Sequence, residues 1–328
     1  MKKILFATTA LIATAGVAAA DSANVSMNGM GRFGLLYADP AGAVGGTTVL
    51  HHRLDLNFDI KTESDAGVTF GARVRMRAST GSAFTVNAPM GANPGNAAGT
   101  FNAARLYASA GGLTVAVGNV LGAIDSTPGL YTGSVGLTGL SFAAAPSVYD
   151  IPNTGAGVLA TDAHDGHAYS GSGAGLTQGA EIIYSMNGLG LHVSYGGAAA
   201  AKTTQVMASY KFGDYTMAAA YQDNATGFNT KWLVTVGGKL GPANVVLKAA
   251  DNGVEGNVYT IGADFAVAPA ATVQAYYTKT DDDTNVFAED NAYGVGFVYD
   301  IGGGASVRGG VEKSFGDTKA DLGVRFNF

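Results

Sequence analysis

Cysteine is absent, so neither a disulfide framework nor a thiolate site contributes to this chain. After residue 20 no run of 18 consecutive apolar residues occurs, which excludes a membrane-spanning helix. Charge is sparse, at 13% of 328 residues, and between Leu106 and Ala201 there is neither Lys nor Arg. The 19 basic and 25 acidic groups leave a net charge of −6, which implies no affinity for nucleic acid. Abundance lies elsewhere: 49 glycines, 15 tyrosines and 15 phenylalanines. That mixture suits strands, because glycine is costly in helix interiors and aromatic rings favour the pleated sheet.

The first twenty residues read as a secretory leader. Lys2 and Lys3 supply the positive start, Ile4 to Val17 the short apolar run, and Ala18, Ala19 and Ala20 a small-residue cleavage site before Asp21. The expected division is therefore a signal peptide over 1–20 and a barrel over 21–328.

The barrel is read from side-chain parity. In the stretch 68–78 Val68, Phe70, Ala72, Val74, Met76 and Ala78 share one face, while Thr69, Gly71, Arg73, Arg75 and Arg77 share the other. Three arginines two residues apart cannot be buried dry; they need water or paired anions. A water-filled tube set in lipid meets both demands. The next strand back is cleaner still, with Leu50, His52, Leu54, Leu56, Phe58 and Ile60 against His51, Arg53, Asp55, Asn57, Asp59 and Lys61.

Turn chemistry sets the rhythm. Tight corners are expected at 62–67, Gly111-Gly112, Asn187-Gly188, Gly213-Asp214, Gly241-Pro242, 268–270 and 302–304, and looser links at 38–48, 79–100, 196–202, 223–229, 251–257, 280–290 and 313–317. Short and long connections thus alternate, as in a transmembrane barrel with brief turns at one rim and longer loops at the other. The expected fold is all-β: a closed antiparallel transmembrane barrel of 16 strands, the fourth running from Ala103 to Ala110. Sixteen is also about where side chains stop filling the interior and an aqueous lumen remains. From about 120 to 177 no period of 2 or 3.6 persists, yet Leu121, Ile124, Leu130, Tyr131, Val135, Leu137, Leu140 and Phe142 are too apolar for a solvated tail. This third outer loop is expected to fold inside the barrel. Aromatics near strand ends, Tyr184, Tyr195, Tyr210, Phe212, Tyr215, Tyr221 and Trp232 among them, should form two interfacial girdles.

Three segments carry a family resemblance: 117–123 (Val-Gly-Asn-Val-Leu-Gly-Ala), 299–306 (Tyr-Asp-Ile-Gly-Gly-Gly-Ala-Ser) and the ending 320–328 (Ala-Asp-Leu-Gly-Val-Arg-Phe-Asn-Phe). The mature chain resembles the general porins of Gram-negative outer membranes, most of all those of purple photosynthetic alphaproteobacteria of the Rhodobacter type. The resemblance implies a homotrimer of sixteen-stranded barrels in the outer membrane, each narrowed by its third loop and open to small hydrophilic solutes and ions. It implies that Phe328 is the outer-membrane assembly signal. Lipid and lipopolysaccharide would be the surroundings, and no nucleic acid a partner.

Six of the eight arginines, Arg32, Arg53, Arg73, Arg75, Arg77 and Arg105, precede the cation-free stretch. By parity Arg53, Arg73, Arg75, Arg77 and Arg105 point inward and are the candidate positive half of a constriction. Asp125, Asp150, Asp162 and Asp165 on the loop are the candidate negative half; opposed charges there would set a transverse field. The loop is otherwise rich in Gly, Ala and Ser, where relatives often carry denser acid clusters. No cofactor and no metal site is expected, although calcium stays open as a ligand. The tract Asp162 to His167 holds imidazole and carboxylate groups, but a hydrated loop tip accounts for it. Asp281, Asp282 and Asp283 could meet the divalent cations that bridge lipopolysaccharide; an acidic outer loop is the plainer account. No G-x-S-x-G nucleophile motif occurs, so an outer-membrane enzyme is the weakest rival. A substrate-selective channel would want lumen aromatics beyond Tyr107 and Tyr276.

Overall fold

Alternating parity resolves into seventeen β-segments in a computed structural model, which describes residues 24–42, 45–80, 96–145, 179–198, 201–224, 230–251, 256–281 and 289–328. The expected leader lies outside these residues. Before the inserted loop come β1 (Asn24–Asp39), β2 (Thr47–Glu63), β3 (Thr69–Thr80), β4 (Asn96–Phe101), β5 (Arg105–Ala110) and β6 (Leu113–Gly118). After it come β7 (Gly179–Met186), β8 (Leu189–Ala198), β9 (Ala201–Phe212), β10 (Tyr215–Asn224), β11 (Lys231–Leu240) and β12 (Ala243–Asp251). The wall ends with β13 (Asn257–Ala268), β14 (Ala271–Thr280), β15 (Asn291–Gly302), β16 (Ala305–Ser314) and β17 (Asp317–Asn327).

Every pairing is antiparallel, and β1 pairs with both β2 and β17, so the sheet closes on itself and leaves no edge. β4 and β5 are two halves of one stave, because β3 pairs with β4 through Met76 and Phe101 and with β5 through Arg73 and Arg105. The barrel therefore has sixteen staves. The fourth starts at Asn96, earlier than its expected start at Ala103, and breaks at 102–104. At the break Asn102 Oδ1 accepts the Arg75 amide at 2.7 Å, while its own amide donates to the Arg75 carbonyl at 2.9 Å.

At the Asn187-Gly188 corner φ is 51° and 85°, left-handed values that the Asn-Gly pair tolerates better than most. Two connections at the opposite rim are tighter than expected. Ala198 pairs directly with Ala201, and β16 passes to β17 through Phe315 and Gly316, at φ 52° and 104°. The strict alternation of short and long links fails, and between β16 and β17 the reason is that two left-handed residues suffice to reverse the chain. Both ends of the barrel lie at the short-turn rim. There the Gly29 amide donates to the Phe328 carbonyl at 2.8 Å, and the Phe328 amide returns a bond to Gly29 at 3.1 Å.

Outside, the wall is apolar and bare: Leu50, Leu191, Val234, Leu247 and Leu322 are exposed, as the hydrocarbon face of a spanning barrel must be. Inside, Asp55, Glu181, Gln205, Lys248 and Thr278 are buried. Exposed tyrosines and Trp232 of the wall gather in two belts over β7–β15, joined there by Phe212 and Phe265, whereas exposed Phe33, Phe101, Phe326 and Phe328 lie on the remaining arc. Tyr195, Tyr221, Trp232, Tyr259, Tyr277 and Tyr293 lie toward the long-loop rim, and Phe212, Tyr215, Phe265 and Tyr299 toward the turns.

The hydrophobic core is not between layers of sheet but between the inserted loop and the wall. Ile124, Leu130 and Ala145 pack on Ala220, Leu233 and Ala250; Val135, Leu140, Ala143 and Ala144 pack on Tyr276 and Ala292. Each large apolar side chain so buried contributes about 1.5–3 kcal/mol relative to exposure. Glycines in the wall admit the loop backbone at close range. A Cβ at Gly296 or at Gly310 would stand 2.8 Å from the Gly136 nitrogen.

Candidate functional site

Residues 119–145 form a string of tight turns, with i to i−3 bonds such as Thr127 to Ile124 at 3.0 Å, Ser134 to Tyr131 at 3.0 Å and Ala145 to Phe142 at 2.7 Å. Such a chain has no regular period, so its path is dictated by the wall. The loop backbone meets one strand after another. Ser194 Oγ on β8 accepts the Ala123 amide at 3.0 Å, and Gln205 Oε1 on β9 accepts that of Ile124 at 3.0 Å. Thr235 on β11 donates to the Pro128 carbonyl at 2.7 Å. On β12 the Lys248 ammonium donates to the carbonyls of Leu130 and Thr132, both at 2.7 Å, and to that of Ala144. Thr278 on β14 donates to Ala143 at 2.6 Å. Glu312 on β16 accepts the Ser141 amide at 2.8 Å and the Tyr276 hydroxyl at 2.8 Å. Asp321 on β17 takes the amides of Leu137 and Thr138 and the Thr138 hydroxyl, each at 2.8 Å. The arc ends on β1, where Arg32 reaches the Leu137 carbonyl at 3.4 Å.

Among the described residues none of these side-chain anchors lies on β2, β3 or β5. That free arc carries the five arginines singled out from the sequence. Arg53 and Arg77 converge on one carboxylate, Asp55, at 2.6 and 2.7 Å. Arg73 grips Asp59 through Nε at 2.6 Å and Nη2 at 2.9 Å. Arg105 donates through Nε to Glu181 at 2.6 Å, and Glu181 also holds His192 at 3.1 Å. Arg75 stands between Arg73 and Arg77 on β3, opposite Asn57.

Three neutralising carboxylates, Asp55, Asp59 and Glu181, were not singled out as site residues from the sequence. A signal for the first two was present, since they sit on the polar parity of β2. Their pairing with β3, Asp55 opposite Arg77 and Asp59 opposite Arg73, depends on a register that the sequence does not display. The two remaining arginines, Arg308 and Arg325, also lie on lumen parity, on β16 and β17. All eight therefore occupy adjoining strands from β16 through β1 to β5. These pairs fix the guanidinium positions and trim the field.

On the loop, Asp125 accepts the Tyr131 hydroxyl. Asp150, Asp162 and Asp165 fall outside the described residues, as do His164 and His167. Among the described residues no group of three potential metal ligands comes together. The arrangement is a tube with an arginine-lined arc on one side and a docked loop on the other.

Comparison with known proteins gives the same architecture. A family model described as Gram-negative porin matches residues 7–319. The porin of Fuscovulum blasticum is 34% identical over 318 residues, covering 93% of this chain and all of that protein. The porin of Rhodobacter capsulatus is 30% identical over 155 residues, 39% of this chain and 52% of that one. Among solved structures, an engineered variant of the Rhodopseudomonas blastica porin superposes with a TM-score of 0.75 at 31% identity, covering 93% of this chain and all of that one.

Proposed function

This chain belongs to the Gram-negative porin family, and from that premise we propose how its lumen sorts what passes. It is a multi-pass barrel of the outer membrane and a channel for passive diffusion of small hydrophilic solutes and ions. The observation that carries the reading is the docked loop: residues 119–145 cross the interior and leave open the arc that bears Arg53, Arg73, Arg75, Arg77 and Arg105. We assign these five to the positive side of the constriction and Asp125, with Asp150, Asp162 and Asp165, to the negative side. The pairing of Arg53 and Arg77 on one Asp55 leaves that pair of guanidiniums with an excess of positive charge. The field it sets favours dipolar and anionic solutes and disfavours large apolar ones.

In this reading residues 1–20 are a leader, 120–177 the constriction loop, and Phe328 the assembly signal. No catalytic step is assigned. The protomer works as one of three. Support comes from the outer face of β16, β17 and β1–β6, where the exposed side chains are mainly aliphatic, including Val25, Met27, Leu35, Leu106, Val117, Val311 and Leu322, while the Tyr and Trp belts run over β7–β15. A face with no exposed Tyr or Trp among its described residues suits a neighbouring subunit better than a lipid headgroup region. The remaining outer surface meets lipid and lipopolysaccharide. A narrow single-substrate channel is less favoured, because Tyr276 is buried beneath the loop and bonded to Glu312 instead of facing a solute path.

Planar-bilayer recording tests the reading. Stepwise openings in threes are expected, and reversal potentials across a salt gradient should move toward cation preference in the Arg75→Ala/Arg77→Ala variant. A reversal potential that stays where it was removes the arginine arc from the constriction.

A further inference from the structure

Charge in the lumen is compensated unevenly. Arg53, Arg73, Arg77 and Arg105 each meet a wall carboxylate, whereas Arg32, Arg308 and Arg325 form no ion pair with any described carboxylate. These three are neighbours. Arg32 and Arg325 stand directly opposite each other across β1 and β17, and Arg53 faces Arg32 from β2. Arg325 in turn faces Ser306 on β16, whose hydroxyl accepts Arg308 Nε at 3.0 Å.

Their hydrogen-bond capacity is largely open. Arg32 Nε donates to His51 Nε2 at 2.9 Å, a neutral acceptor that leaves the guanidinium charge uncompensated. Arg325 Nε is buried and meets no acceptor, and its Nη2 comes within only 3.5 Å of Asn327 Oδ1. The carboxylates closest along the wall are occupied: Asp55 by Arg53 and Arg77, Asp321 by three donors from the loop. Like charges set directly opposite in a sheet destabilise it unless water or an anion compensates them.

We propose that Arg32, Arg308 and Arg325 form an oxyanion-binding station in the lumen, beneath the tip of the loop at Leu137. The proposal rests on the reading of the lumen as a solute passage. Guanidinium forks match the two oxygens of a carboxylate or phosphate and stay charged at every physiological pH, which a ring of lysines would not guarantee. Its place is on the short-turn side. Arg308 lies just past the turn that opens β16, and Arg325 just before the end of β17. A small oxyanion passing the Arg53–Arg77 stretch thus meets Arg32 beside Arg53 and then the less compensated Arg325 and Arg308 toward the short-turn rim before it leaves. The substrate class is small phosphate- or carboxylate-bearing solutes, favoured over chloride by shape as well as by charge.

The test uses the mature full-length protein in planar bilayers, with chloride on one side and inorganic phosphate on the other, and with succinate as the carboxylate arm. Arg308→Gln/Arg325→Gln is expected to lower the phosphate-to-chloride permeability ratio about fivefold, with conductance in potassium chloride changed less than about twofold. Arg308→Lys/Arg325→Lys, which keeps charge but loses the fork, should lose part of that preference, and each single Gln variant a smaller part. Succinate should follow phosphate if the shared oxyanion geometry is what is read. An unchanged phosphate ratio in Gln variants that still conduct chloride overturns the station and leaves the channel reading intact. A wild type silent in potassium chloride overturns the channel reading and this inference with it.

Discussion

Asp321 on the last strand holds the amide of Leu137 at 2.8 Å across 184 residues of chain. The same carboxylate takes the amide and the hydroxyl of Thr138, so three donors of the loop tip rest on one side chain. Hydrogen bonds to a charged acceptor are worth about 1.5–3 kcal/mol each. Asp321→Ala should therefore free the tip while the barrel remains closed. Single-channel recordings are expected to show flicker between conductance levels; steady wild-type traces would mean that the tip is held elsewhere.

Lys248 supplies one ammonium to three loop carbonyls, those of Leu130, Thr132 and Ala144. Lys248→Met keeps an unbranched side chain one atom shorter and removes every donor. The loss should weaken docking of this segment by about 2–4 kcal/mol. Hydrogen exchange at amides around Leu130 and Ala145 ought to accelerate, whereas exchange in β12 itself should not.

Asp55 is the shared partner of Arg53 and Arg77. Asp55→Asn removes the negative charge and keeps the shape, so two guanidiniums become uncompensated. The anion-to-cation permeability ratio should rise about two- to threefold at low salt and much less at 1 M, where screening is short. A ratio that does not move would place the selectivity filter at another height in the lumen.

Gly310 and Gly296 let the loop backbone close against the wall, since a Cβ at either would stand 2.8 Å from the Gly136 nitrogen. Gly310→Ala should strain that contact by about 1–3 kcal/mol and push residues near Gly136 into the lumen. Lower conductance with an unaltered reversal potential is the expected signature, and an unchanged conductance would show that the wall yields instead.

Much of the fold was legible because lipid imposes a simple rule. Leu50, Leu54, Leu56 and Ile60 repeat at every second residue or its multiple, and the Asn-Gly pair at 187–188 marks a hairpin without further help. What failed to show in the sequence depended on contacts between distant segments. The break in the fourth stave reflects Asn102 replacing a ladder bond at Arg75, and nothing local announces it. The compact connection at Phe315-Gly316 looked like a longer link because Phe315 is an unusual residue for a left-handed conformation. The five arginines were found by parity alone. Their partners Asp55, Asp59 and Glu181 were not found, because the pairing of charges across strands requires the register.

The path of the loop implies an order of assembly. Apart from Arg32 on β1, its anchors are spread from Ser194 to Asp321, so most of the contacts that seat it do not exist until late in the construction of the wall, and the last of them waits for the final strand. Because contacts so distant in sequence form slowly, the barrel must close around an undocked segment, which then settles inward. A newly closed barrel is thus briefly wide open, and becomes a sieve only once Leu137 has found the carboxylate of Asp321 on the final strand.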